Sequence, residues 1–303
     1  MANTTYSNVK AISLTDYMPA FKTSSDIQGW DWKKLYTMKK TSRATEQVFS
    51  YAGLPVAQQT KELQTLNYAD MAELAATTFT VSKYTLATLF SHELLKDNQH
   101  LPEFLKEAGK CAGDSHSFAK DIAAASFLNN AFTAGTSAMY DGVALCGSHT
   151  MNDGTAFTNK LTTSSLTWDN LWEAVNKFET SLVAHSGIYL RDTPKFLAYH
   201  PSKEKEVRAI LRTTEGQPGT ADNDKNTIRD YNLVPVPCRH LSTSANWFLM
   251  GSRFPASNCW FTREGLSNKT EDDFDRMAVK FRSYQRWARG VKEFTYIFGN
   301  EGA

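Results

Sequence analysis

Residues 118–149 read FAKDIAAASFLNNAFTAGTSAMYDGVALCGSH, and this stretch decides how the rest of the chain is understood. Phe118, Ile122, Ala125, Leu128 and Phe132 recur at the three-to-four spacing of one helix face, in a segment rich in the strongest helix former, alanine. Asn129 and Asn130 end the run, and Asp141-Gly142 is a turn signal that opens a new unit. A long helix therefore stops here and a different architecture begins.

Working backward, Leu101, Phe104, Leu105, Ala108, Cys111 and Ala112 continue the same periodicity. Asp97–Gln99 offers capping candidates and Pro102 sits where a first-turn proline is tolerated. The spacing predicts about 32 helical residues, a rod of about 48 Å. Gly109 and Gly113 each weaken a helix by about 1 kcal/mol relative to alanine, so a bend or break is expected there. His116 reads as an exposed or hydrogen-bonded helical histidine and not as a ligand.

Upstream of the helix lie two extended stretches. Thr45–Tyr51 is followed by a polar, turn-containing region around Gly53, Pro55 and Asn67. Thr77–Leu86 then alternates, with Phe79 and Val81 on one face and Thr78, Thr80 and Ser82 on the other. A lone two-stranded hairpin is marginal in water, so this one must lie against something else, and in an assembly that can be a neighbouring subunit. Val48, Phe49, Leu54 and Phe79 are the candidate contacts. Residues 1–44 have weak periodicity and carry Lys33, Lys34, Lys39, Lys40 and Arg43, read as a solvated arm or short surface helix, with a polyanion-binding arm as the alternative.

Downstream the rhythm becomes α/β. Thr167 caps a helix with Trp168, Leu171, Val175, Phe178 and Leu182 on its apolar face, ending near Gly187. Phe196–Tyr199 reads as a strand, Pro201 opens a helix with Val207, Ile210 and Leu211 inward, and Leu233–Val236 and Trp247–Met250 read as strands. Met277, Val279 and Phe281, and then Phe294, Tyr296 and Phe298, alternate again. Glu215–Asn226, with Gly216, Pro218 and Gly219, is a polar loop expected to be exposed and adaptable.

The composition, 41% apolar and 21% charged over 303 residues, supports a globular body of one or two domains. A net charge of +1 gives no basis for broad nucleic-acid binding. The four cysteines, Cys111, Cys146, Cys238 and Cys259, are widely spaced with no C-x-x-C pair and read as reduced thiols. No apolar run approaches the roughly 18 residues of a membrane span and no signal peptide is evident, so a protein made in the cytoplasm, without membrane contact, is expected.

The common catalytic motifs fail one by one. The chain has no G-x-x-x-x-G-K-[ST], no G-x-G-x-x-G after a strand and no G-x-S-x-G. Asp222, Asp224 and Asn226 have the spacing of the first calcium-loop ligands, but Thr227 takes the glycine position and Leu233 the glutamate position. Cys146 with His149 and Cys238 with His240 would form a zinc site only if the two pairs met in space. No catalytic residue, metal or cofactor is expected.

What remains is an ordered set of segments: ATEQVFSYAGLPVAQQT, FTVSKYTLATLFSHELLKDNQ, AASFLNNAFTAG, DGVALCGSHTMNDGTAFTNKL, LTWDNLWEAVNKFETSL, PKFLAYHPSKEKEVRAILRT, NWFLMG and YIFGN. In this order, and with the D-G-x-x-L-x-x-x-H element after the Asn-rich helix end as its most telling part, the chain from about Thr41 to Asn300 resembles the major capsid proteins of tailed bacteriophages with the Hong Kong 97-type fold.

The resemblance implies an α+β chain divided into an N-terminal arm (1–44), an extended E-loop hairpin (45–86), a P-domain spine-helix region (87–140), an A-domain (141–265) and return strands to the P-domain (266–303). It implies a head protein that self-assembles as hexamers and pentamers into an icosahedral shell around double-stranded DNA, the DNA being held by non-specific proximity. Gly216, Pro218 and Gly219 would lie in the axial loop of the A-domain. About 40 residues before the hairpin are too few for a scaffold domain, so a separate scaffolding protein is implied. A portal protein, and optionally a decoration protein, complete the partners, with assembly in the host cytoplasm and residence in the virion. In some relatives one partner of a covalent cross-link lies in the hairpin region, here Lys61, Asn67 and Glu73, but no pair is assignable. An encapsulin-like nanocompartment shell and an α+β enzyme with an unrecognised site are the alternatives.

Overall fold

The computed structural model describes residues 16–24, 29–66, 68–71, 73–74, 76–134, 139–213 and 226–302. Its frame is a pair of four-stranded sheets. The first is built on a long antiparallel hairpin of β10 (Asn258–Asp273) and β11 (Ala278–Val291), registered from Asn258↔Val291 to Asp273↔Ala278. Bulges interrupt it between Thr262 and Glu264 and between Glu264 and Ser267. β4 (Ser82–Ser91) runs antiparallel along β11, and β1 (Thr37–Lys40) runs parallel along β10, giving the order β1-β10-β11-β4.

Across this sheet lies α3 (Leu101–Asn129), 29 residues without a break. Pro102 occupies its first turn as expected, but the cap position is His100, whose N–H is received by Asn98 Oδ1 at 2.9 Å; Asp97 and Gln99 make no cap. Neither Gly109 nor Gly113 breaks the helix. Gly109 instead admits the crossing of α1 (residues 16–24): a Cβ there would lie 2.4 Å from the Tyr17 carbonyl oxygen. His116, buried under the sheet, is satisfied by Ser283 Oγ at 2.7 Å and Gln285 Nε2 at 3.2 Å. Tyr17, Phe21, Phe90, Leu105 and Phe281 pack between helix and sheet, beside the short α2 (His92–Asp97).

The second sheet has the order β12-β9-β7-β8, from Ile297–Asn300, Trp247–Gly251, Pro194–Tyr199 and Val234–Pro237; β7 and β8 are parallel and the other pairs antiparallel. β9 and β12 are buried along their whole length, as strands covered on both faces are. Helix α4 (Trp168–Ser181) opens as the sequence predicts, with Thr167 Oγ1 accepting from Asn170 N, but ends before Leu182 and not near Gly187. A 3-10 turn at Pro201–Lys203 leads into α5 (Glu204–Arg212) with Val207 and Ile210 inward. β5 (Ser148–Thr150) and β6 (Ala156–Thr158) form a small antiparallel ribbon beside this sheet.

Two short struts join the sheets. α6 (Phe254–Ser257) carries the chain from β9 into β10, and residues 292–296 carry it from β11 into β12. Lys292 N donates to Ser257 O at 2.8 Å, tying one strut to the other. One apolar cluster runs through the junction, from Trp30, Trp32 and Ala124 to Phe178, Phe248 and Phe298.

Three sequence expectations need correction. Residues 30–40 are not an arm: Trp30, Trp32, Leu35 and Tyr36 are buried, and Asp121 on α3 gathers them. Its Oδ1 accepts from Trp32 Nε1 at 2.7 Å, its Oδ2 from Gly29 N at 2.5 Å and its carbonyl from Trp30 Nε1 at 3.3 Å. Lys33 and Lys34 ride on a 3-10 turn (Trp32–Leu35), and Lys39 and Lys40 on β1. Second, the division at 265/266 cuts through β10, and β12 returns to the second sheet, not the first. Third, Met277 is not in a strand but in the turn between β10 and β11, at φ 46°.

Candidate assembly surface

The predicted hairpin is present but small at its root. β2 (Thr45–Val48) pairs antiparallel with β3 (Thr77–Thr80), and a single bridge, Tyr51↔Glu73, with Leu74 N donating to Ser50 O at 2.8 Å, continues the pairing outward. Beyond it the described part of the excursion has no regular structure, only the local turn at Lys61–Gln64. Half of the large exposed apolar side chains among the described residues lie between 49 and 71. Phe49, Leu54, Val56, Leu66 and Tyr68 are all open to solvent, and Leu63 is fully so.

The candidate contacts therefore divide. Phe49 and Leu54 are exposed as expected. Phe79 is not available: it is buried against Phe261, with ring centroids 5.7 Å apart, beside Cys259 and Ala288, and Val48 packs on the same cluster. Alternation identified Phe79 as apolar-facing, but the core that receives it is the chain's own. Tyr51, Val56, Leu63, Leu66, Tyr68 and Met71 were the exposed residues missed, because their segment has no periodicity to read.

The D-G-x-x-L-x-x-x-H element is a structural clasp. Asp141 Oδ1 receives Val143 N at 3.1 Å to close a turn in which Gly142 adopts φ 77°, a conformation that favours glycine. Asp141 Oδ2 pairs with His149 Nδ1 at 2.7 Å, while His149 Nε2 faces Leu145 O at 3.3 Å. The His149 ring, fully buried, stacks on Phe294 at 3.6 Å. Asn159 locks the loop by accepting from Gly147 N and donating to Leu145 O and Phe294 O.

Nearby, His185 faces Tyr140 and Glu293. Glu293 and Asp141 reinforce the effect of burial and raise the Tyr140 pKa well above its ordinary value. Burial likewise pushes the Cys146 thiol up, and the Cys238 thiol up to about 12. Among the described residues no three His, Cys, Asp or Glu side chains gather to hold a metal ion. Asn226 has a structural task instead: its Oδ1 accepts from Trp168 Nε1 and Ile228 N, and its Nδ2 donates to Ile210 O and Thr213 O. Gly216, Pro218, Gly219, Asp222 and Asp224 lie outside the described residues. No described helix is long and apolar enough to cross a membrane.

This arrangement joins a body that has a large junction core and two smaller apolar clusters to a hairpin whose apolar side chains it leaves exposed. The sequence profile of a family described as phage capsid protein matches residues 74–300, from the return side of the hairpin to the last strand. The chain belongs to the phage capsid protein family. As a phage capsid protein it has a structural, shell-forming role. No curated protein matches the sequence.

Solved structures carry the same fold at low identity. The capsid of cyanophage P-SCSP1u superposes with a TM-score of 0.63 at 9% identity, covering 91% of this chain and 89% of that one. A chain of Microbacterium phage Oxtober96 gives 0.58 at 11% identity, with 92% of each chain covered. One of Mycobacterium phage Bobi gives 0.57 at 14%, again with 92% of each. About nine tenths of this capsid protein thus follows a fold shared with phage structures.

Proposed function

We propose that this chain is the major head protein of a tailed phage, assembling with itself as hexamers and pentamers into an icosahedral shell that encloses double-stranded DNA. The observation that carries the reading is the hairpin: an exposed apolar surface concentrated in residues 49–71, whose two sides are joined to each other by a four-residue ladder and one bridge. Burial of such surface contributes roughly 25 cal/mol per Å², and the body offers it no cover, so a neighbouring subunit is the natural recipient. In this reading the first sheet with α3 is the P-domain, the second sheet with α4 and α5 is the A-domain, and the loop holding Gly216, Pro218 and Gly219 lies near the symmetry axes. A separate scaffolding protein and a portal complete assembly.

The near-neutral chain, at net +1, suits a lining that surrounds packed DNA without gripping it. The work is mechanical. The Asp141–His149 pair, a His–carboxylate arrangement of the kind catalytic sites use, is sealed against Phe294 with both ring nitrogens facing protein acceptors, which fits a structural task.

The test is expression of the full chain with its scaffold, followed by size-exclusion chromatography and negative-stain microscopy. Closed shells or ring-shaped capsomers are expected, and deletion of 53–74 should leave a folded subunit that forms neither. A stable monomer from the intact chain, or normal shells from the truncated one, refutes the reading.

A further inference from the structure

β4 is the outer strand of the first sheet, and its far edge is open. Ser82–Ser91 pairs with β11 along its whole length without a bulge. Among the described residues no backbone group outside β11 bonds to it: the flanking bonds, Val81 N to Ala44 O at 2.9 Å and His92 N to Met277 O at 2.9 Å, lie just beyond its two ends. Thr85, Ala87 and Leu89 on one face are exposed, and Tyr84, Leu86 and Thr88 on the other are only half-buried.

Proteins blunt such edges with bulges, prolines, charges or short strands. The opposite side of this sheet is treated that way: β1 is four residues long and carries Lys39 and Lys40, and beyond it β10 is bulged twice. β4 has only Lys83, at its start. The residues that follow, YTLATLFS from Tyr84 to Ser91, hold no charge, proline or glycine. A row of free N–H and C=O groups on such a segment is a template for another strand.

The charges at its two ends select the partner. Lys83 stands at one end, its Nζ 5.9 Å from the centre of the Tyr284 ring, and Glu93 stands just past the other, in the first turn of α2. Neither has an ion-pair partner among the described residues. Arg286, opposite Lys83, is held by Glu264 at 3.0 Å, and Lys280, opposite Leu89, by Asp273 at 2.5 Å. Lys96 and Asp97 offset one another at the end of α2. Arg282, opposite Ala87, stands one strand back from the edge. Two copies joined at this edge would hold their Arg282 residues about 14 Å apart, three spacings of ~4.8 Å, beyond the screening length of about 8 Å. The strand is thus complementary to itself turned end for end.

We infer that β4 of one copy pairs antiparallel with β4 of a second copy across a two-fold axis, joining two four-stranded sheets into one. A pairing that keeps both α3-covered faces on the same side must match odd-numbered residues with odd and even with even. Two registers do so over nine residues, and only the one centred on Ala87 sets Lys83 beside Glu93 of the second copy; Thr85 then faces Leu89 and Tyr84 faces Phe90. The contact is isologous, so unlike the head-to-tail contacts that close a ring it ties one ring to the next. The inference rests on the shell reading above and adds this tie to it.

The test uses the full chain in a Cys111→Ala background, assembled and mildly oxidised. In this register residue 87 faces its own copy at a Cα spacing of about 4.5–5.5 Å, within disulfide reach. Ala87→Cys should run as a linked dimer on non-reducing electrophoresis, as should Thr85→Cys with Leu89→Cys. Thr85→Cys alone, whose two copies stand four residues or about 13 Å apart, should not. Separately, Ala87→Lys places like charges directly opposite at an exposed position; it should leave the subunit folded and raise the concentration needed for closed shells at least about tenfold. Normal shells from Ala87→Cys without the dimer band overturn this contact alone. A dimer band from Thr85→Cys alone, or from Ala87→Cys only when Leu63→Cys is added, assigns the edge to another register or to the hairpin and also overturns it. A chain that cross-links at 87 but never forms shells keeps the contact and loses the shell reading; one that does neither loses both.

Discussion

The ring of Phe79 stands where a side chain on Gly290 would have to be: a Cβ at position 290 would lie 2.2 Å from Phe79 Cε1 and 2.6 Å from Cδ1. Position 290 on β11 is thus a slot, and the return strand of the hairpin is seated in it. Gly290→Ala should cost about 1–3 kcal/mol by overpacking and shift the hairpin root. Thermal melting of unassembled subunits gives the cost, and the yield of closed shells reports the shift. In a Phe79→Ala background the same substitution should cost much less; equal penalties in both backgrounds would show that the two residues do not compete for this space.

Asp121 holds the segment that precedes β1. Replacing it with alanine leaves the buried indole N–H of Trp32 and the N–H of Gly29 without their acceptor, at roughly 1–3 kcal/mol for each unsatisfied group. Urea denaturation should show the loss, with a red shift of tryptophan emission as Trp30 and Trp32 open to water. An Asp121→Ala subunit as stable as its parent contradicts the clasp.

His116 makes stability depend on pH in a definite direction. Gln285 Nε2 donates to its Nδ1, so the folded ring is neutral, and burial, aided by Lys120, lowers its pKa. The unfolded chain takes up a proton below about pH 6.5 while the folded one resists it. The contribution is therefore complete above that pH and declines as pH falls through it. Melting temperatures from about pH 7.5 to 5.5 should fall more steeply for the parent than for His116→Asn. Parallel curves would remove His116 as the cause.

Thiol reactivity should separate the four cysteines. Cys111 is exposed on α3, whereas Cys146, Cys238 and Cys259 are buried, and burial raises the thiol pKa of Cys146 and Cys238. Unassembled subunits treated with a thiol reagent should show one fast equivalent, abolished by Cys111→Ser. A second fast equivalent in the folded subunit would place one of the other three at the surface.

Local signals were legible where a segment's own periodicity or capping decides its structure. Thr167 and its apolar stripe specify α4, and the Ala-rich run specifies α3 up to Asn129. Partners distant in sequence were not legible. β10 was missed because TREGLSNKTEDD, from Thr262 onward, has neither alternation nor apolar content; its pairing comes from β11. Trp30 and Trp32 read as part of an arm because Asp121, whose backbone carbonyl receives the one and whose carboxylate receives the other, is about 90 residues away. At the candidate surface, alternation showed that Phe79 faces something apolar without showing whose core it was, and the exposed set around Leu63 has no pattern to detect.

The two struts between the sheets give the subunit an uneven stiffness. With α6 and residues 292–296 side by side and cross-tied by Lys292 N to Ser257 O, any rotation of one sheet against the other would shear both connections and the common core together. The hairpin beyond Tyr51 and Glu73 has one bridge to break. In the shell proposed above, load passed between subunits would meet a stiff tile and a soft strap in series, and a change of shell size would be taken up by re-angling the straps while the tiles keep their shape.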